Sequence, residues 1–205
     1  MKKKSEKRRK RNTDPKRESI MNAAVEAFQA EGYDKTSMDR IAEIAGASKR
    51  TVYNHFKSKE ELFLAITENY IVKQQTLKSI IYDRNIPLEK QLALFAESEL
   101  FFVNDPVRLG LSKVLTSVFL FNNKLAIETK AKFGSEIQSL IEWLAAAEKD
   151  KKIRVPDPQL AARLFYSMVQ GALTWPPLFV GPMDSKHVEP VKKEIIEIFL
   201  SRYRR

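Results

Sequence analysis

Cysteine is absent from this 205-residue chain, and histidine occurs only twice. Disulfides, thiolate metal sites and cysteine nucleophiles are therefore excluded. His55 and His187 have no recognisable Ser/Asp partner or metal-ligand spacing, so an enzyme is a poor reading and no cofactor or metal is expected. Six glycines and few period-two alternations disfavour a sheet-rich fold, which needs many turns. No apolar run reaches the roughly 18 residues of a membrane span. The basic N-terminus lacks the apolar stretch of a secretory signal, so the cytoplasm is the expected compartment and no membrane partner is expected.

What is present points to helices. Hydrophobic residues make up 43% of the chain and charged residues 30%, enough for a core and a well-solvated surface. Apolar spacing is helical almost throughout, and the expected fold is all-α, in one or two domains. The net charge of +10 is unevenly spread: residues 1–17 carry +8 and the other 188 only +2. Like-charge repulsion and the lack of apolar residues predict a disordered basic tail over residues 1–13. Such a tail either solubilises or, just ahead of a DNA-binding unit, meets phosphate or the minor groove and steepens the salt dependence of binding.

Helix starts are marked by three Asp-Pro pairs, at Asp14-Pro15, Asp105-Pro106 and Asp157-Pro158. The carboxylate accepts an orphan N–H, and proline has none to waste. Pro87 and Pro190 suggest two more. The first helix is expected over 15–30 with an apolar stripe of Ile20, Ala24, Val25 and Phe28, stopped by Gly32. Thr36 and Asp39 have capping-box spacing for the second, with Ile41, Ala42 and Ala45 inward and Gly46 in the turn. Ser48 would cap the third, 49–56, with Val52 and Phe56 inward. Ser58 and Glu61 form another box, opening a long helix toward Asp83. Further helices are expected near 87–103, 106–121, 123–149, 158–174 and 189–204. The Pro-dense stretch 174–190 cannot be helical throughout.

The segment 37–56, SMDRIAEIAGASKRTVYNHF, thus reads as two short helices and a tight turn, with Lys49, Arg50, Thr51, Tyr53, Asn54 and His55 on the polar side of the second. A helix-turn-helix places such a helix in the major groove, its N-terminal residues at the base edges. Lys49 and Arg50 suit guanine O6 and N7, and Asn54 suits adenine or a phosphate. Tyr53, His55 and Lys59 are better placed for phosphate. The helix starts at Ser58-Lys59 and at Thr36 or Ser37 offer free N–H groups to an anion. Taken singly, each of these residues would be ordinary solvated surface; their shared place in a capped, Gly-turned helix pair lifts them together.

The phrase GYDKTSMDRIAEIAGASKRTVYNHFKSKEELF, within residues 15–65, resembles the DNA-binding head of the TetR family of bacterial transcriptional regulators. The resemblance implies an all-α homodimer on a palindromic double-stranded operator, associated with the nucleoid when DNA-bound. It implies that Thr36, Tyr53, His55 and Lys59 hold phosphates and that Lys49, Arg50 and Asn54 lie near bases. The expected organisation is a basic tail, 1–13; a DNA-binding head, 14–60; and a helical ligand-binding and dimerisation domain, 61–205. The segments DPVRLGLSKVL and IEWLAAAEKDKKIRVPDPQLAARLFYSMVQGAL resemble, more weakly, the C-terminal domain of AefR-like members, with Lys151-Lys152 where a Gly-containing phrase is usual.

A ligand cavity among the later helices is what the family implies. Aromatic residues and a few polar ones, Phe119, Asn122, Gln138, Trp143, Tyr166, Gln170 and Trp175, are its candidate lining, suited to a small apolar or aromatic effector. Most of these aromatics could equally be core or dimer contacts. Dimerisation is expected through the stripes Leu160, Leu164, Met168 and Leu173 or Ala172, and Ile195, Ile196, Phe199 and Tyr203, unless these pack within the chain. The segment 175–180 is expected against the partner subunit or over a pocket mouth. The leading reading is a ligand-responsive repressor; the alternative is an effector-independent nucleoid or division-associated DNA-binding protein.

Overall fold

Each Asp-Pro pair opens a helix. Asp14 accepts from Lys16 N ahead of α1 (Pro15–Glu31), Asp105 from Val107 N and Arg108 N ahead of α6 (Pro106–Phe121), and Asp157 from Leu160 N ahead of α9 (Pro158–Val169). The computed structural model describes residues 14–75, 80–133 and 137–204; the basic tail expected over 1–13 lies outside them. Between these helices run α2 (Met38–Ile44), α3 (Lys49–His55), α4 (Lys59–Gln75) and α5 (Leu88–Leu100). After α6 come α7 (Asn123–Phe133) and α8 (Ile137–Lys149); after α9 come α10 (Trp175–Val180) and α11 (Ser185–Tyr203). The fold is all-α. Among the described residues the one β-type pairing is an isolated bridge of Ile153 with Arg204.

Two compact units divide between Ala65 and Ile66, within α4. In the first, Ile20, Ala24 and Phe28 of α1, Ile41 and Ala42 of α2, and Val52 and Phe56 are all buried, while Val25 and Ala45 are only half-buried. Ser48 caps α3 by accepting from Thr51 N, as its sequence position suggests. The cap of α2 is Ser37, accepting from Arg40 N, one residue beyond the expected Thr36. Thr36 turns inward instead: its hydroxyl donates to the Gly32 carbonyl at 2.8 Å, with the Ala27 carbonyl at 3.3 Å.

In the second unit, Trp143 of α8 sits in a core with Leu92, Phe95, Leu144 and Phe165. Its indole N–H donates to Gln91 Oε1, and the Gln91 amide also donates to the carbonyls of Asp83 and Ile86. Gln91 thereby ties down residues 80–86, which are not helical, so the helix of α4 does not reach Asp83 as expected. Of the helix expected over 123–149, α7 and α8 cover 123–133 and 137–149, and 134–136 lie outside the described residues. The last helix starts at Ser185, capped by Asp184, so Pro190 lies inside it rather than at its start.

The Pro-dense stretch holds a short helix. Pro176 and Pro177 have no N–H for the carbonyls four residues back, and their rings crowd those carbonyls. The chain answers with a π turn, Gln170–Thr174, in which Trp175 N bonds to Gln170 O, five residues back, before α10 begins.

Two helix ends share one geometry. After α2, Ala47 N bonds to Ala42 O and Gly46 N to Glu43 O, with Gly46 at φ 55°. After α8, Lys152 N bonds to Ala147 O and Lys151 N to Glu148 O, with Lys151 at φ 60°. This is the Schellman arrangement, and its left-handed residue is normally glycine. A Cβ at Gly46 would meet nothing within 4 Å, so only backbone strain separates the two residues there. Lys151→Gly should therefore stabilise the protein by about 1 kcal/mol, and Gly46→Ala should destabilise it by a similar amount, both measured by urea unfolding.

Candidate nucleic-acid interface

Helix α3 is two turns long, with Val52 fully buried and Phe56 fully buried just past its end. The rest of its surface is polar. Arg50, Tyr53 and Asn54 are exposed and make no side-chain hydrogen bond or ion pair among the described residues. Tyr53 is an apolar ring 45% exposed. These three share the outward side of a capped helix.

The other expected contacts are engaged within the unit. Lys49 Nζ lies 2.5 Å from Asp39 Oδ2 on α2, and that carboxylate holds the ammonium above its ordinary pKa. Thr51 is half-buried, its hydroxyl 2.8 Å from that of Ser48. His55 is half-buried with Nδ1 3.5 Å from Asp14 Oδ2. Ser37 is exposed, but its hydroxyl is the cap of α2. Thr36 is only 2% exposed, which sets its side chain apart from a phosphate-facing role. On α2, Arg40 pairs with Glu31 and Glu43, and both acids raise its pKa.

Lys59 differs most from its expected role. Its ammonium donates to the carbonyls of Tyr33 (2.6 Å), Thr36 (3.0 Å) and Asp34 (3.2 Å), and stands 4.4 Å from the Tyr33 ring centroid. An ammonium has three donors, and all three are taken. The Tyr33 ring also packs between Phe28 and Phe63. Lys59 thus clasps the α1–α2 loop to the start of α4.

The residues expected around a ligand do not converge. Trp143 is 1% exposed and belongs to the core. Gln138 is exposed and bonds to Glu142 on its own helix. Asn122 Oδ1 accepts from Leu125 N at the start of α7, and Phe119 is half-buried. Trp175 is 41% exposed and stacks on Phe179, their centroids 6.2 Å apart. Tyr166 and Gln170 lie one turn apart at the end of α9 and the start of the π turn. There Gln170 Nε2 donates to Glu99 Oε2 at 2.9 Å, Glu99 being buried, and the Thr174 hydroxyl is buried with no hydrogen-bond partner among the described residues. Glu99 was not singled out from the sequence; its signal is a polar residue in the inward register of α5, in step with Gln91, Leu92 and Phe95. Among the described residues no group of three or more His, Asp or Glu side chains is gathered for a metal, and no helix is long and apolar enough to cross a membrane.

A capped helix pair with one buried seam and one bare polar face, followed by a larger helical unit, defines a helix-turn-helix DNA-binding regulator. Residues 20–66 match the family model described as bacterial regulatory proteins, tetR family, and residues 90–205 match that of the AefR-like transcriptional repressor, C-terminal domain. The chain belongs to the TetR family of transcriptional regulators. A crystal structure of a TetR family regulator from Pseudomonas syringae is 30% identical, with a TM-score of 0.77, covering 94% of this chain and 98% of that one. The flavonoid-responsive regulator FrrA is 25% identical with a TM-score of 0.71, covering 93% of this chain and 97% of its own. The transcriptional activator FasR of Mycolicibacterium smegmatis is 43% identical over 58 residues, 28% of this chain and 26% of that protein. The matches to FasR, to YhgD of Bacillus subtilis and to RutR of Escherichia coli span 26%, 41% and 28% of those proteins' own length.

If Lys59 is a clasp, Lys59→Met should cost about 2 kcal/mol of stability in thermal or urea unfolding. The slope of log affinity for duplex DNA against log salt should stay as in the unaltered protein, because no phosphate contact is lost.

Proposed function

We propose that the protein is a ligand-responsive repressor that binds a palindromic operator as a homodimer. The bare face of α3, with Arg50, Tyr53 and Asn54 exposed and unengaged, carries this reading. Arg50 reads a base edge, Tyr53 and Asn54 meet the backbone or an adjacent base, and the basic residues 1–13 add phosphate neutralisation. Lys49 stays paired with Asp39, Ser37 offers the start of α2, and Thr51 and His55 act through local positioning. The cytoplasm, with its nucleoid, is the compartment such a role requires.

The dimer surface differs from the stripes first suggested. Ile195, Ile196, Phe199 and Leu173 are buried in the chain's own core, because α9 and α11 both pack inward on α5 and α8. Leu160 and Leu164 of α9 and Ile198 of α11 remain about half exposed, with Trp175 and Phe179 of α10. Burying these outward residues against a second copy forms the interface. The effector is a small aromatic or apolar molecule with a hydrogen-bonding group, met by Tyr166, Gln170, Thr174 and Glu99. That assignment draws on the polar cluster at the π turn and on the flavonoid response named for FrrA.

Footprinting on fragments flanking the gene should show sharp protection of one palindrome, relieved by a flavonoid or similar aromatic effector; broad coverage without relief would favour the effector-independent alternative. Arg50→Ala should cost about 1–3 kcal/mol of operator binding and relax preference at one base position. Leu164→Glu should weaken dimerisation by about 2 kcal/mol in sedimentation measurements, leaving the fold intact because the residue faces outward.

A further inference from the structure

Helices α2 and α3 themselves carry three lysine or arginine side chains: Arg40, Lys49 and Arg50. Two are already neutralised, Arg40 by Glu31 and Glu43 and Lys49 by Asp39. Arg50 has no acid partner among the described residues. An exposed pair such as Asp39–Lys49 adds little to stability. Its consequence is where it leaves the charge.

We propose that Asp39 sets DNA specificity by masking the charge of Lys49 against phosphate while leaving the ammonium able to donate to a base. The inference rests on α3 being the DNA-facing helix. On any duplex, sequence-independent affinity comes from cations that neutralise phosphates and release counterions. For Lys49 to reach a phosphate it must leave Asp39, and the stranded carboxylate then faces a like charge. On random sequence the pair stays closed and Lys49 contributes no counterion release. A guanine presents neutral acceptors, O6 and N7, in the major groove. An ammonium has three donors, and Asp39 takes one, so Lys49 can donate to such a base without breaking the pair. Asp39 thereby penalises binding to unselected sequence more than binding to the operator, which is how a repulsive element sharpens a choice of partner.

The test uses the full chain, a short random-sequence duplex, and a duplex selected by the unaltered protein from a randomised pool. Affinities are measured over a range of salt. Asp39→Asn should bind the random duplex several-fold more tightly, with a log–log salt slope steeper by about 0.9. Its preference for the selected duplex should fall. Lys49→Met should leave the random-duplex slope unchanged, with its affinity lowered by the stranded Asp39 carboxylate, while weakening binding to the selected duplex more. Arg50→Met should flatten the slope by about 0.9. The Asp39→Asn, Lys49→Met double variant should show no steepening. Lys49→Met leaves the first turn of α2 untouched, so it decides the matter even if Asp39→Asn misfolds. The proposal is overturned if Lys49→Met flattens the random-duplex slope as Arg50→Met does, or if the steepening by Asp39→Asn is missing or survives in the double variant. If the unaltered protein selects a duplex but neither Arg50→Met nor Lys49→Met alters binding to it, α3 does not face DNA. The underlying reading then fails, and the proposal with it.

Discussion

Val52 and Phe56 hold α3 to the protein, and nearly everything the head does depends on that grip. Seven residues cannot sustain an isolated helix in water, since nucleation is unfavourable and so few bonds follow it. Ser48 satisfies one orphan N–H, and the two fully buried side chains fix the inward side. Arg17 of α1 stacks its guanidinium 4.8 Å from the Phe56 ring, so α1 also braces the end of α3. Once that seam is closed, Arg50, Tyr53 and Asn54 have only one direction left. Readout by a short helix requires such rigidity, because a side chain that must find a base edge gains little if its own helix frays.

The same economy governs charge. A head that binds DNA could simply display its cations, but here most of them are engaged. Lys59 is clasped by three carbonyls, Arg40 sits between two acids, and Lys49 meets Asp39. The two sets of ion pairs cancel charge that would otherwise attract phosphate, and the carbonyls fix the Lys59 ammonium in place. By sequence, +8 of the net +10 lies in residues 1–17.

Features whose chemistry is local were legible in the sequence. The Asp-Pro caps, Ser48, the glycine of the turn and the Val52–Phe56 pair are settled by neighbours four or fewer residues away. Features set by distant partners were not. Lys59 looked like a phosphate ligand because its three carbonyls lie 23 to 26 residues earlier. Trp143 looked like a pocket aromatic because Gln91, which accepts its indole N–H, lies 52 residues away. On α9, Leu160 and Leu164 looked like part of a buried stripe, but they stand on the exposed side with Gln159, Arg163 and Ser167, while Ala161, Phe165 and Val169 face inward. Pro190 was read as a helix start by a rule that is only a preference: a proline at the sixth position of α11 forgoes its bond to the Lys186 carbonyl, and the buried stripe from Val188 to Leu200 outweighs that loss.

The π turn shows how one local exception organises a region. Pro176 and Pro177 could not continue α9 as an ordinary helix, yet the buried Leu173 and Pro177 keep the chain against the core on both sides of the junction. Widening by one residue is the solution that satisfies both demands. At the start of that turn Gln170 donates to the buried carboxylate of Glu99, and at its end the Thr174 hydroxyl is buried without a hydrogen-bond partner among the described residues. A buried polar atom without a partner is costly in an apolar interior. A residue pair that elsewhere would only end a helix here stands next to a turn with a buried, unpartnered hydroxyl, and a molecule supplying the missing hydrogen bond would favour whichever state of the chain keeps that turn widened.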